Sequence, residues 1–429
     1  MTALAPSPAR TSSNPPHWRR FLLVAFGIGT SVGAMYSLLP LLVLASGGAS
    51  AQVGLLISTV TIGMAIGALG GGRFSGRHGA DAGLAMSILL ALVGIALFLL
   101  PLPLVMTAVG CLPTGAGIGL FWVASQVRLG QGSPGGFVRH YAAYTAGTAL
   151  GGPGSGVLVQ IVAAHANETA GEVRAAFLLA IGALAMAAVC WPLRLRPLRS
   201  SAGAAAPPVA EAGSAPPVAE RAVRILRRGA SLQAADAALV IGFNAMLTIY
   251  AVVLRRDFRI EPGFIGLVAG GVAAAKVLGG LLGRRLSSRI GERAALVTLT
   301  ATGAVVMAAG GLVHDRLLFT LAVLLSVLCG LGQWPLLVAV AMRRMPMEHR
   351  SAYVGSWNLR EFIVIAIASA VFGWGLDGLP GGRATVLVVG ATVLGLGTIA
   401  TWHLWDTDEA GAARSWRRRP VRPPLAAPE

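Results

Sequence analysis

The chain has 429 residues, of which 55% are hydrophobic and 12% charged, and its formal net charge is +17. Its mean hydropathy of +0.72 lies far outside the range of soluble globular proteins and excludes that class. The basic excess does not indicate nucleic-acid binding, because the arginines are dispersed along the chain rather than gathered in one stripe.

Twelve apolar stretches are each long enough to cross a hydrocarbon core of about 30 Å, for which an α-helix needs about 20 residues. Six of them lie in the first half of the chain, near 21–45, 52–72, 83–101, 104–126, 140–163 and 175–193. The other six lie in the second half, near 232–254, 262–283, 294–313, 317–341, 351–375 and 384–405. The sequence therefore predicts an all-α membrane protein with twelve spans, numbered 1 to 12 in chain order.

The positive charges predict the orientation of the spans. If span 1 begins in the cytoplasm, cytoplasmic segments hold 26 of the 34 Lys and Arg residues, outside segments hold six, and two lie within spans. Positively charged loops stay in the cytoplasm, so both termini are expected there. Abundant Ala, Gly and Arg with a single lysine indicate a bacterial protein, and we expect it in the inner membrane. The arginines would also contact anionic lipid headgroups.

The spans divide into two bundles around a polar linker. The predicted parts are a tail (1–18), a first six-helix bundle (19–194), an Ala/Pro-rich linker (195–230), a second six-helix bundle (231–405) and a basic tail (406–429). The Ala/Pro-rich linker has too few large apolar side chains to form a hydrophobic core, so it is expected to be flexible. Residues 220–229 (ERAVRILRRG) are expected to form either a short basic amphipathic helix on the inner membrane surface or a disordered loop whose arginines set the topology.

Three landmarks recur in the same order in both halves. The stretch around Gly76, after span 2, is matched around Gly291, after span 8, at an offset of 215 residues. GIGLFW (117–122) in span 4 is matched by GLGQWP (330–335) in span 10, and RHYAAY (139–144) is matched by RSAYVGSW (350–357). The last two offsets are 213 and 211 residues, counted from the first residue of each motif. The bundles are therefore predicted to be parallel copies.

With these features the chain resembles the major facilitator superfamily over nearly its whole length. The superfamily signature G-x-x-x-D-R-x-G-R-R after span 2 is matched by Gly76 and Arg77, and its second copy by Arg289, Gly291 and Arg293. Where the signature has its aspartate, the first copy has Arg73 and the second copy has Ser288. The resemblance implies a secondary transporter whose substrate binds between the bundles near the midplane of the membrane. We expect a monomer.

Span 5 contains the run Gly151-Gly152-Pro153-Gly154-Ser155-Gly156. It resembles the G-P-x-x-G motif of the superfamily's drug/proton antiporters, and this resemblance implies export in exchange for protons. A glycine–proline run is also simply a kink with close packing. A proton-coupled uptake permease is the alternative function. A transport-inactive sensor or scaffold is a second alternative, because the signature after span 2 is degraded.

Four charged residues lie within the spans: Asp236, Lys276, Arg360 and Glu361. A charge at the bilayer centre costs at least about 2.5–3.5 kcal/mol, so such residues usually face a cavity and mark function. All four lie on spans 7, 8 and 11, which contribute to the cavity in the superfamily. Glu361 is the leading candidate for a proton carrier because it lies near mid-membrane. The alternative is that the four residues form static ion pairs between these spans.

Aromatic and amide side chains are the other candidates for the cavity. They are Tyr36, Trp122, Gln126, Tyr144, Asn244, Gln333, Trp334, Trp357 and Asn358. Such a lining suits a small amphipathic molecule that is partly aromatic or cationic, although each residue could instead serve packing or interfacial anchoring.

The sequence predicts no enzyme, metal site or cofactor. A G-x-S-x-G sequence occurs at Gly29 to Gly33, but it lies inside span 1 and lacks the strand-to-helix turn that this motif requires. The seven histidines are not clustered, and no Walker sequence is present. The expected partners are therefore a small-molecule substrate, protons and the lipid bilayer.

Overall fold

The computed structural model describes residues 18–130, 135–163, 170–191, 230–344 and 350–417. Spans 1 to 6 are the helices Trp18–Ala45, Ser50–His78, Ala80–Leu97, Leu104–Gly130, Gly135–Ala163 and Ala170–Cys190. Spans 7, 8, 9, 11 and 12 are the helices Ala230–Arg256, Pro262–Ile290, Glu292–Leu312, Arg350–Gly378 and Arg383–Arg417. Span 10 consists of Arg316–Cys329, a 3-10 turn at Leu331–Gln333, and Trp334–Arg344. The predicted linker lies almost wholly outside the described residues.

Eleven helices of the described chain are long and apolar enough to cross a membrane. Span 5 is not among the eleven, although its 29 residues match the length of its neighbours. Its sequence contains many glycines and threonines, which lower the hydropathy of its apolar stretch. It nevertheless packs between spans 1 and 8. The predicted all-α membrane fold is confirmed.

Both bundles pack their spans in the same pairs. In the first bundle span 1 lies against span 5 and span 2 against span 4, and in the second bundle span 7 lies against span 11 and span 8 against span 10. The bundles also meet in a symmetric way, because span 2 contacts span 11 and span 5 contacts span 8. Each helix of the first bundle thus has the neighbours that its counterpart has in the second, as a parallel repeat requires.

Span 1 approaches span 5 through two glycines four residues apart. A Cβ atom on Gly29 would overlap the backbone carbonyl of Tyr144, and one on Gly33 would overlap that of Thr148. Small residues at this spacing let membrane helices approach closely. The hydroxyl of Ser31 between them donates to a carbonyl of its own helix at 2.8 Å. The G-x-S-x-G sequence of span 1 is therefore a helix-packing motif.

The break in span 10 is stabilised by a buried glutamine. Trp334 and Pro335 begin the second helix of this span. Proline is tolerated at a helix start because the backbone N–H that it lacks would have no partner within the helix there. The Gln333 amide donates to the carbonyl of Leu328 at 3.3 Å and to that of Gly279 in span 8 at 3.1 Å. These bonds satisfy backbone groups near the break, which is how non-helical backbone is tolerated within a membrane.

The structural repeat pairs Gly291 with Gly79. Gly291 follows span 8 with φ +86° and Gly79 follows span 2 with φ +87°, and only glycine adopts such values without strain. Their offset of 212 residues (79 to 291) agrees with the two other landmarks. The predicted pairing of Gly76 with Gly291 is therefore three residues out of register, since Gly76 lies within the last turn of span 2 and Gly79 follows the helix end.

Reporter fusions are expected to place Ser200 and the C-terminal tail in the cytoplasm and Asn167 outside. The physical reason is the arginine content of the alternate loops. Ser200 and Asn167 both lie outside the described residues, so the fusions test the topology independently of the helix packing. Paired alkaline phosphatase and fluorescent-protein fusions measure it. A periplasmic signal from the tail would contradict the twelve-span count.

Candidate functional site

A cavity of about 250 Å³ lies between the two bundles. Its lining residues come from spans 1, 2, 4 and 5 of the first bundle and from spans 7, 8, 10 and 11 of the second. These spans form the corresponding pairs 1 and 5, 2 and 4, 7 and 11, and 8 and 10 of the two bundles. Spans 3, 6, 9 and 12 contribute none of the lining residues in the described chain. The volume lies just below that of common small-molecule sites, about 300–1,000 Å³.

Aromatic side chains form much of the cavity wall. Those that line it are Tyr36, Trp122, Tyr141, Tyr144, Phe243, Tyr250, Trp334 and Phe362. Trp122 meets Tyr144 edge to face with ring centroids 4.8 Å apart. Tyr141 of the first bundle stacks on Trp334 of the second with centroids 6.0 Å apart. This aromatic surface suits a flat or apolar ligand, and the tyrosine hydroxyls can form hydrogen bonds with its polar groups.

Amides and hydroxyls supply the neutral polar part of the wall. The lining includes the amides of Gln126, Asn244 and Asn358 and the hydroxyls of three threonines, two on span 5 and one on span 7. Asn358 Nδ2 donates to Gln126 Oε1 at 3.3 Å, a bond that joins span 11 to span 4. A few convergent polar groups on a largely apolar wall are the usual means by which a pocket orients its ligand.

Two opposite charges line the same cavity, Lys276 on span 8 and Glu361 on span 11. Lys276 lies fourteen residues from each end of Pro262–Ile290, which places it at the middle of the helix, about 21 Å from either end at 1.5 Å per residue. Glu361 lies eleven residues from the inner end of span 11, at a depth of about 16 Å. The two charges interact through space, and the Trp334 indole lies beside the Glu361 carboxylate.

The other two intramembrane charges lie behind the cavity wall. Asp236 is 6% exposed and does not line the cavity. Its charge interacts with those of Arg360 and Glu361. Arg360 Nη1 donates to Gln233 Oε1 on span 7. The four predicted charges therefore form one neighbourhood, in which only Lys276 and Glu361 reach the cavity.

Seven of the nine predicted aromatic and amide candidates line the cavity: Tyr36, Trp122, Gln126, Tyr144, Asn244, Trp334 and Asn358. Gln333 does not, because its amide is committed to the backbone at the break in span 10. Trp357 is 3% exposed and turns toward Asp236 instead. The sequence could not separate Trp357 from Asn358, since adjacent helical residues point about 100° apart and either could face the cavity.

Sequence reasoning missed several lining residues on span 5. Tyr141, Thr145 and Thr148 share one helix face with the predicted Tyr144, because residues 141, 144, 145 and 148 follow the i, i+3, i+4, i+7 pattern. This spacing was visible in the sequence and could have identified them. Phe243, Thr248 and the residues of span 2 carried no such signal, because ordinary apolar helix positions look alike in the sequence.

The glycine–proline run of span 5 lies at the contact between the bundles. Cβ atoms on Gly152 and Gly156 would approach span 8, the first at 2.8 Å from the Ala269 Cβ and the second at 2.6 Å from the Pro262 carbonyl oxygen. Pro153 packs on Gly270 of span 8 as well. Gly151 faces the other way, and a Cβ atom there would overlap the span 1 backbone at Thr30.

The signature regions lie at the inner ends of the spans. Arg77 is exposed in the last turn of span 2, and Arg289 is exposed in the last turn of span 8. The guanidinium of Arg293 lies 4.2 Å from the ring centroid of Trp402 on span 12. In the first bundle an acidic contact is supplied by Asp81, which forms an ion pair with Arg128 at the end of span 4.

The outer ends of the bundles are held together by polar contacts. The Asp377 carboxylate of span 11 accepts hydrogen bonds from Arg256 Nη1 at 2.7 Å and from the Ala51 backbone N–H at 3.1 Å. On the other side of the interface, Gln160 Nε2 of span 5 donates to Glu261 Oε2 at 2.8 Å. These contacts join span 2 to spans 7 and 11, and span 5 to the start of span 8.

Backbone contacts reinforce the outer half of the interface. A Cβ atom on Gly373 would lie 2.7 Å from the Gly54 Cα, where span 11 crosses span 2. The inner half has side-chain contacts such as the Asn358–Gln126 hydrogen bond instead. In this conformation packed helices therefore close the side of the cavity that the predicted orientation places outside.

The comparisons with known proteins agree with this architecture. Residues 234–426 match the family model described as the Major Facilitator Superfamily. A bacterial homologue of the human lysosomal transporter Spinster, inward-facing and occupied, has a TM-score of 0.66 at 13% identity, covering 94% of this chain and 96% of that one. The xylose transporter XylE from E. coli, partially occluded and inward open, has a TM-score of 0.65 at 14% identity, covering 91% of this chain and 99% of that one. The E. coli fucose:proton symporter FucP has a TM-score of 0.59 at 16% identity, covering 90% of this chain and 97% of that one.

A search of curated protein sequences gives no match. The fold and its family match nevertheless define a multi-pass membrane transporter of the secondary type rather than an enzyme. The resemblance to the major facilitator superfamily is confirmed: the second half of the chain matches the family model, and the described residues of both halves take the fold of the transporters named above.

Proposed function

We propose that the chain is a proton-coupled secondary transporter that exports a small amphipathic molecule across a bacterial inner membrane. The observation that carries this proposal is Glu361, a carboxylate near mid-membrane in the wall of a cavity that both bundles line. A carboxyl in that position can bind a proton from whichever side the cavity faces. Protonation that depends on the open side is what coupling to a proton gradient requires.

Alternating access would proceed by exchange of the contacts between the bundles. The Asp377–Arg256 bond and the glycine contacts between spans 2 and 11 close the outer side in this conformation. Outward opening would break them and bring the inner ends of the spans together. Glu361 would then take a proton from outside, and the return to the present conformation would deliver that proton to the cytoplasm.

The glycine–proline run supports export as the direction. Its resemblance to the antiporter motif suggested export, and Gly152, Pro153 and Gly156 pack against span 8 where the bundles meet. Tight packing there keeps the outer side closed while the substrate enters from the cytoplasm. Because protons flow inward across a bacterial inner membrane, exchange with protons would drive the substrate outward.

Proton-coupled uptake is the second candidate. One specific observation favours it: FucP, which has a similar fold, is described as a fucose:proton symporter, and XylE as a xylose transporter. A single cavity carboxylate such as Glu361 can serve symport or antiport. The direction then depends on whether the proton and the substrate bind together or in turn.

Growth of a pump-deficient bacterial host tests the direction. We expect expression of the chain to raise the inhibitory concentration of at least one toxic aromatic amphipathic compound from a panel, and expression of the Glu361→Gln variant to give no protection. Membrane quantities of the two proteins are compared by immunoblot. Sensitisation to the same compounds would contradict export and support uptake, and an absence of any effect would support the scaffold alternative.

A further inference from the structure

The cavity carries balanced charge. Among its lining residues in the described chain, Lys276 is the one basic side chain and Glu361 the one acidic side chain. They lie on different helices of the same bundle, each near the middle of its helix. Aromatic rings of both bundles and three amides surround them. A ligand bound in this cavity would therefore lie within reach of both charges.

The two charges do not neutralise each other by direct contact. Their electrostatic interaction acts through space, and no ion pair within 4.0 Å joins Lys276 to Glu361 in the described structure. A separated pair of charges in a low-dielectric cavity retains much of the cost of losing its hydration. Groups of opposite charge placed next to each member would offset that cost.

We infer that the substrate is a zwitterionic aromatic molecule whose anionic group binds Lys276 and whose cationic group binds Glu361. The inference rests on the proposed function and names the substrate class of the same site. A purely cationic ligand would meet repulsion from Lys276, and a purely anionic ligand would meet repulsion from Glu361. A zwitterion leaves the cavity neutral, and its ring packs on the aromatic wall.

The same pairing couples binding to the proton. When Glu361 takes up a proton, the cationic group of the ligand loses its counter-charge while Lys276 still repels it, so the ligand is released. In the described chain, Asp236 from span 7 and Tyr141 from span 5 also interact with Glu361, and Arg360, its neighbour on span 11, interacts with Asp236. Asp236 and Arg360 carry opposite charges and interact with each other, so they leave the balance of the cavity unchanged.

Three probes that share an indole ring test the inference: tryptophan, tryptamine and indole-3-propionate, which are zwitterionic, cationic and anionic. The full chain is purified into lipid nanodiscs, and affinity is measured by titration calorimetry. We expect tryptophan to bind about tenfold more tightly than either singly charged probe, since each charged contact that is lost weakens binding by about that factor.

Substitutions assign each contact to its residue. Lys276→Gln is expected to reduce tryptophan affinity to that of tryptamine, and Glu361→Gln to reduce it to that of indole-3-propionate. Lys276→Arg keeps the charge, and it is expected to keep the preference for tryptophan even if Lys276→Gln protein fails to accumulate. Loss of the preference in Lys276→Arg would count against the inference.

Equal affinity for the three probes, preference for a singly charged probe, or no binding of any at millimolar concentration would overturn the inference. The growth assay separates this failure from failure of the proposed function. Protection that depends on Glu361, together with no preference for the zwitterion, would remove the substrate class alone.

Discussion

Replacing Glu361 with glutamine is expected to stop transport driven by a pH gradient, while substrate exchange without a gradient continues at the weaker substrate affinity that a protonated Glu361 would give. Glutamine keeps the shape and hydrogen-bonding capacity of a protonated carboxyl, but it cannot release a proton. The variant would therefore resemble a permanently protonated transporter. Flux of a transported compound into proteoliposomes, measured with and without an imposed gradient, together with protein yield, checks the prediction.

Glu172→Gln provides the matched control, because Glu172 lies on span 6, which does not line the cavity. Its flux should equal that of the unmodified chain. If Glu361 instead belongs to a static ion pair, its substitution strands a buried positive charge at a cost of about 3–5 kcal/mol and lowers the yield. Normal yield with undiminished gradient-driven flux would remove Glu361 as proton carrier and make Asp236 the next residue to test.

Gly152→Leu is expected to abolish transport while leaving inserted protein in the membrane. Even a Cβ atom at Gly152 would lie 2.8 Å from the Ala269 Cβ and 3.1 Å from the Gly266 carbonyl oxygen, so a leucine must separate spans 5 and 8. Overpacking of this kind costs about 1–3 kcal/mol. The bundles would lose the outer contact that each transport cycle re-forms. Flux per inserted molecule, with insertion measured by immunoblot, gives the result.

Gly182→Leu is the control, because a Cβ atom on Gly182 of span 6 meets nothing within 4 Å. It should transport at the rate of the unmodified chain. Wild-type flux in Gly152→Leu would reduce the glycine–proline run to a coincidence of composition and would remove the observation that favours export.

The architecture of the chain was largely predictable because membrane spans have a strong sequence signal. Length, hydropathy and the distribution of arginines predicted the spans, and the recurring motifs predicted the parallel repeat. The position of Lys276 was less predictable, because the helix of span 8 extends to Ile290 whereas its apolar stretch ends near residue 283. Lys276 is therefore about twice as far from the inner end of its helix as the apolar stretch implied.

The site was predicted less completely than the fold, because a sequence does not show which way a side chain points. Gln333 and Trp357 looked like cavity residues, yet one stabilises a helix break and the other lies behind the wall. Gly79 rather than Gly76 is the counterpart of Gly291, and only the backbone angles reveal it. Tyr141 could have been found from its spacing to Tyr144 on span 5.

Proton-driven movement of a compound in proteoliposomes tests the central claim most directly. The full chain is reconstituted alone, a pH gradient is imposed, and a panel of labelled aromatic zwitterions, cations and anions is followed together with an internal pH dye. We predict that at least one compound moves against the direction of proton flow, and that a protonophore abolishes its accumulation. Accumulation that persists in the presence of the protonophore, or movement of a compound without any change in internal pH, would contradict proton-coupled export through this cavity.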